Sequence, residues 1–499
     1  MQLQFNKTTL RCLGNALQEV QNAEVTQEYR LSDGMPDIGR VLTTWGQVII
    51  RGKQWQGNTV EVTGGVMLWA LYAPENGTEP RSVESWIPFQ MRWDLPGVQA
   101  EGPMRVVPFL RFADSRSLAA RKLMLRAGIA VTVEAMYPME VEVSVPGEMP
   151  EDVQLLQNTY PVRLAVEGGE KTFQIDEDLE LTHSGDSVEK LLCLTAKPEV
   201  TEKKFLSDKI AFKGNLQLHL VYRNEVGQVQ SRNCGMPFSQ LVPLDQTYDP
   251  DAQVDIQMAT TSLESSLEDQ GKIRVKCGVV AQYLVTRRHL LNPVQDAYSP
   301  NREVQMETKI LEVPVILDER MEHVDVSHVI PGQMGELVDG VFLPDFPREN
   351  LVGTNGELAL SGVYQILLRD EQDVLQGTSV RWEGKMPVAV DADCHLRVVP
   401  GSIGNMQAIP SVDGLAVNCS LQLSMRTDTM DLLPMVTALE LGPVQAPDPA
   451  RPSVILRCGG GMDLWTIAKN SGSTVSAIRL ANGIEDDIAQ DRYLLIPVL

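Results

Sequence analysis

No stretch of this chain is apolar for long enough to cross a bilayer as a helix, which takes about 20 residues. The best candidate, Val66 to Ala73, ends at Pro74. The opening MQLQFNKTTLRCLGNALQEV has no apolar run of the kind a secretory signal needs. Cysteine is sparse: the seven residues are odd in number, scattered, and never spaced as CxxC. That argues against a secreted disulfide framework and against a zinc site. Positive charge is short as well: 43 Lys and Arg face 66 Asp and Glu, a formal net charge of −23. Nucleic-acid binding needs Lys and Arg to displace phosphate counterions, so this balance argues against it. These absences predict a soluble cytoplasmic protein with no nucleic-acid partner and no membrane insertion.

Catalytic signatures are missing too. Gly52-Lys53, Gly271-Lys272 and Gly384-Lys385 are never followed by Ser or Thr, and Gly168-Gly-Glu-Lys-Thr172 lacks the flanking spacing of a phosphate loop. There is no HExxH, no GxSxG and no EF-hand loop. Of the six histidines, His323 and His328 stand closest, and a five-residue step on a strand sends them to opposite faces. Asp391-Ala-Asp-Cys394-His395 reads as a polar loop rather than a ligand set. The expectation is a protein without enzymatic activity, metal or cofactor.

What the chain has is strand periodicity. Alternating apolar segments run over 59–72, 209–222, 272–283 and 358–368, and long amphipathic helices are scarce. The segments also repeat. Gly64, Leu68 and Tyr72 recur as Gly214, Leu218 and Tyr222, each 150 residues on, and Gly128 recurs as Gly278 at the same distance. A third copy is shorter: Met104-Arg-Val-Val-Pro108 returns as Leu396-Arg-Val-Val-Pro400, 292 residues on, and Leu358 to Ile366 stands where Ile210 to Leu218 stood. Tyr72 and Tyr222 read as core or rim residues. A period near 150 is too long for a solenoid, whose units take about 20–50 residues. A chain of 499 residues also needs several cores, at about 100–150 residues per domain.

The fold class is therefore mainly β: three tandem antiparallel β-sandwich or open-barrel domains plus a small C-terminal βααβ module. Composition sets the cuts at 1–165, 166–316 and 317–441. A Pro-rich linker over 442–452 has four prolines in eleven residues, which predicts an extended spacer holding residues 453–499 away from the rest.

The last segment reads SVILRCGGGMDLWTIAKNSGSTVSAIRLANGIEDDIAQDRYLLIP. Val454 to Cys458 is a short strand, and the three glycines 459–461 turn it sharply. Asp463 is placed to cap a helix carrying Leu464, Ile467 and Ala468, which Gly472 ends. Thr474 caps a second helix with Val475, Ile478 and Leu480, closed by Asn482-Gly483, and Leu494 to Ile496 returns as a strand. Trp465 is expected to supply much of the small core.

This pattern resembles the LysM module, a recognition unit that binds N-acetylglucosamine chains in a groove between two loops. The resemblance places that groove at Gly461, Met462, Asp463, Leu464, Asn482, Gly483 and Ile484. Where the module usually reads Gly-Asp-Thr-Leu-Trp, this chain reads Gly461-Met-Asp-Leu-Trp465, and Gln490-Asp491 replaces the usual Pro-Gly. The scaffold is kept while the glycan-facing loop differs, which favours a protein ligand. With Leu31-Ser-Asp-Gly-Met-Pro36-Asp-Ile-Gly-Arg40 and Ala120 to Arg126 in the first copy, the whole resembles the SipL-type spore coat morphogenetic proteins, built from SPOCS repeats and a C-terminal LysM domain. That resemblance implies a coat assembly adaptor in the mother-cell cytoplasm, at the forespore surface. Its LysM module would bind the stage IV coat morphogenetic ATPase, and its repeats would recruit other spore coat proteins. The alternative is a peptidoglycan-binding protein of the cell wall or spore cortex.

Overall fold

The computed structural model describes residues 2–77, 79–95, 97, 101–180, 188–268, 272–332, 335–345, 351–352, 356–391, 393–446, 450–458, 460–484 and 493–499. Among the described residues the chain is mainly β, with two short helices near its C-terminus. A first unit holds β1 (Asn6–Arg30), β2 (Ile38–Gln56), β3 (Thr59–Pro74), β4 (Arg81–Asp94), β5 (Met104–Ala119) and β6 (Lys122–Val145). A second holds β7 (Tyr160–Leu179), β8 (Val188–Leu206), β9 (Lys209–Asn224), β10 (Val229–Pro243), β11 (Gln253–Leu267) and β12 (Ile273–Leu291). A third holds β13 (Val304–Pro331), β14 (Glu336–Pro344), β15 (Gly356–Arg369), β16 (Leu375–Val388), β17 (Cys394–Ile403) and β18 (Gly414–Leu441).

Each unit repeats one pairing scheme. Its second, third and fourth strands form one antiparallel sheet, and its sixth strand lies between the first and the fifth in another. In the third unit the short strand Gln407–Ser411 extends the fifth along β18. Alternation explains the strands: in β4, Val83, Ile87, Phe89, Met91 and Trp93 are buried while Glu84, Gln90 and Arg92 face water. The inward set of the first sheet meets Val106, Leu123, Leu125, Ile129 and Val133 of the second in one core, so the unit is an open sandwich. Each fully buried large side chain is worth about 1.5–3 kcal/mol in transfer free energy.

The matched glycines have a steric cause. A Cβ on Gly64 would stand 2.3 Å from the Ile49 carbonyl oxygen, and one on Gly214 would stand 2.2 Å from that of Glu199. Both sit opposite β-bulges, where the partner strand crowds inward. Tyr72 and Tyr222 are buried, and their hydroxyls donate to the Pro36 carbonyl and to Gln230 Oε1.

Residues 165 and 316, where composition places the cuts, lie inside β7 and β13, whose arms run past the composition breaks. The units are not strung out in series. Equivalent positions meet at a common centre: Val141, Leu291 and Leu433 share one apolar cluster, as do Leu42, Leu192 and Val338 in another. The strand Gln2–Gln4 pairs with Ala438–Glu440 of β18, joining the start of the first unit to the end of the third.

The C-terminal unit is β19 (Val454–Cys458), α1 (Leu464–Ser471), α2 (Val475–Asn482) and β20 (Tyr493–Pro497), with the two strands antiparallel. It is not held away on a spacer. It rests on a ribbon made by Gln154–Gln157 and Val294–Tyr298: Trp465 Nε1 donates to Asp296 Oδ2 at 2.8 Å, Lys469 pairs with Asp296 at 2.7 Å, and the Tyr298 hydroxyl donates to the Ser473 carbonyl at 3.0 Å.

Candidate functional site

Asp463 caps α1 through its side chain, accepting from Thr466 N at 2.7 Å and Thr466 Oγ1 at 2.8 Å. Those hydrogen bonds hold its carboxyl below the usual range. Gly472 and Gly483 end the helices at φ 63° and 61°. Leu464, Ile467, Ala468 and Ile478 are buried as their spacing predicts. Leu480 is 88% exposed, since two steps beyond Ile478 is the far side of a helix. Trp465 is only half-buried and faces outward to Tyr298, with ring centroids 4.8 Å apart.

Of the predicted groove, Leu464 and Ile484 lie in the module core at 1% and 8% exposure. Asn482 is tied down: its amide donates to the Leu495 carbonyl at 2.6 Å and accepts from Leu495 N at 2.8 Å, mimicking a strand partner for β20. Gly461, Asp463 and Gly483 are exposed and Met462 is half-buried. Gln490 and Asp491 lie outside the described residues.

A second site, which sequence reasoning missed, lies where the units converge. Arg105, Asp255 and Arg397 occupy equivalent positions on β5, β11 and β17, opposite Glu134, Leu284 and Arg426 on the sixth strands. Glu134 accepts from Arg105 Nε at 2.7 Å and Arg397 Nη1 at 2.9 Å, and Arg426 Nη2 stands 2.8 Å away. Arg105 also reaches Asp255 at 2.6 Å, and Arg426 reaches Asp428 at 2.7 Å. Burial would push Glu134 up, but the three guanidiniums hold it well below the ordinary carboxylate range. Burial, with Arg105 and Arg426 nearby, lowers Arg397 despite Glu134.

Beyond this cluster opens a cavity of about 1010 Å³, walled by all three units. It extends from Asp255 and Gln257 beside the arginines to Trp45 and His219. There Trp45 Nε1 donates to Asp339 Oδ2 at 2.7 Å, and His219 Nε2 lies 3.2 Å from Asp339 Oδ1. Burial would lower His219, yet the Asp339 carboxylate raises it above its usual value. His323 also lines this space. The recurring Met104–Pro108 and Leu396–Pro400 pentapeptides were the available signal, since each carries an arginine of the cluster.

The fold defines a mainly β protein of tandem repeats gathered round one centre. Residues 187–268 match the family described as SipL, SPOCS domain, a stretch that takes in β8 to β11 of the second unit. That stretch is thus similar to the SPOCS domain of SipL-type proteins. No curated protein and no solved structure matches it significantly.

Proposed function

We propose that this chain is a non-enzymatic adaptor of spore coat assembly, acting in the mother-cell cytoplasm at the forespore surface. The observation that carries the reading is the SPOCS match over residues 187–268. The compact βααβ unit at the C-terminus supports a LysM-like docking module within it. On this reading the module binds the coat morphogenetic ATPase of stage IV through the exposed loop residues Gly461, Asp463 and Gly483, flanked by Met462. The three β units recruit further coat proteins. Linking weak sites in one chain and arraying them on a surface multiplies avidity without any new contact.

Pull-down of purified ATPase by the full chain, compared with a chain lacking residues 453–499, tests the reading. Binding is expected to vanish with the deletion, and unchanged binding would overturn the module's role. Co-sedimentation with purified peptidoglycan is expected to be absent. Strong sedimentation would transfer the module to the wall-binding alternative.

A further inference from the structure

We propose that the central cavity is a binding site for an extended peptide segment in which an acidic residue stands beside an aliphatic or aromatic one. The proposal deepens the adaptor reading and rests on it for the ligand being a segment of another protein. Four observations carry it. The volume, about 1010 Å³, lies at the top of the range of about 300–1,000 Å³ that small-molecule pockets span, which suits a longer ligand.

The walls differ in chemistry. Among the described residues, the first unit contributes no charged side chain: Trp45, Val48, Val107, Phe109 and Leu110 make an apolar side. The second unit contributes Lys197, Glu199, Glu202, Lys203, Asp255 and His219, of which Glu202 is paired with Lys213 and Asp255 with Arg105. A ligand that satisfies both sides is apolar on one flank and charged on the other.

The charge it needs is negative. Lys197 is open to the solvent of the cavity, donates one hydrogen bond to the Gly401 carbonyl, and has no salt bridge among the described residues. Although its side chain reaches cavity water, the protein packed around the cavity partly desolvates the ammonium and lowers its proton affinity, a cost that an incoming carboxylate would offset. Glu199, whose charge interacts with that of Lys197, is pushed the other way by burial and is the weaker partner for it. His219 is already matched by Asp339, and Lys203 donates to the Val254 carbonyl.

The centre of the molecule already grips peptide backbone with amide side chains. Gln282 accepts from Val106 N at 2.7 Å and donates to the Val106 carbonyl at 2.9 Å, and Gln47 accepts from Ala196 N at 3.0 Å. One amide offers both donor and acceptor, as the edge of a strand requires. Gln217, exposed on the cavity wall, presents the same group.

The test is selection of a random heptapeptide library on the full chain, followed by fluorescence anisotropy with the enriched peptides. Enriched sequences are expected to pair Asp or Glu with a neighbouring aliphatic or aromatic residue. Lys197→Glu should weaken binding by about tenfold or more, whereas Lys197→Arg should change it by less than about threefold. Gln217→Ala, which leaves charge untouched, should weaken it by a few-fold and serves if Lys197→Glu fails to fold. No enrichment, or affinities unchanged in both Lys197→Glu and Gln217→Ala, overturns the proposal. If the ATPase still binds in that case, the cavity proposal falls alone; if it does not, the adaptor reading falls with it.

Discussion

Glu134 is fully buried on β6, and three guanidiniums from two different units point at it. Taking those charges out of water is costly, and only their mutual contacts offset the cost. Removing one member of such a cluster is therefore worse than never having built it. Glu134→Gln leaves Arg105, Arg397 and Arg426 facing a neutral amide, with Asp255 and Asp428 as the remaining carboxylates in contact. The expected loss is about 3–5 kcal/mol at pH 7, read by urea denaturation. The pH dependence has a definite sign. The folded pKa of Glu134 lies below its unfolded value, so its contribution is present above the ordinary carboxylate range and is lost as pH falls through the folded value. The gap between the two proteins should hold from neutral to mildly acidic pH and close only in strong acid. A gap under about 1 kcal/mol at pH 7 would mean the cluster is held by other contacts.

At the scale of elements, much was legible in the chain because local rules decide it. Period-2 alternation marks β3, β9, β12 and β15, and the 150-residue spacing of Gly64 and Gly214 marks bulged strand pairs. Caps at Asp463 and Thr474 place both helices. Long-range contacts were not legible. Trp465 reads as a core residue of its own module, yet its indole serves Asp296, a partner 169 residues away. Gly377 gives no signal either, and its reason appears only where β16 crosses β2. A Cβ there would stand 1.5 Å from the Leu42 carbonyl oxygen, while Arg40 Nη2 donates to the Leu375 carbonyl at 2.7 Å. Gly377→Ala must lift β16 off β2, at an expected cost of about 1–3 kcal/mol. Hydrogen exchange should quicken around Leu42 and Leu375 while the β3–β4 pairing keeps its protection. Equal exchange in both proteins would show that this crossing does not hold the first and third units together.

At the scale of the molecule, an internal repeat says which positions are equivalent and stays silent on whether equivalent positions touch. Here they do, in layers: Val141, Leu291 and Leu433; then Arg105, Asp255 and Arg397; then the cavity; then Leu42, Leu192 and Val338. The substitution of Asp for Arg in one copy lets three otherwise like positions coexist at the centre, since three arginines there would repel. Such a centre couples the units, because none of its layers is complete in one unit alone. A 499-residue chain folded as one body has an expected radius of gyration of about 23 Å, whereas three units in line would exceed about 30 Å. Small-angle scattering of the full chain should give the smaller value, and denaturant should unfold the three units in one transition. A radius near that of the extended arrangement, with separate transitions for each unit, would dissolve the common centre and the cavity along with it.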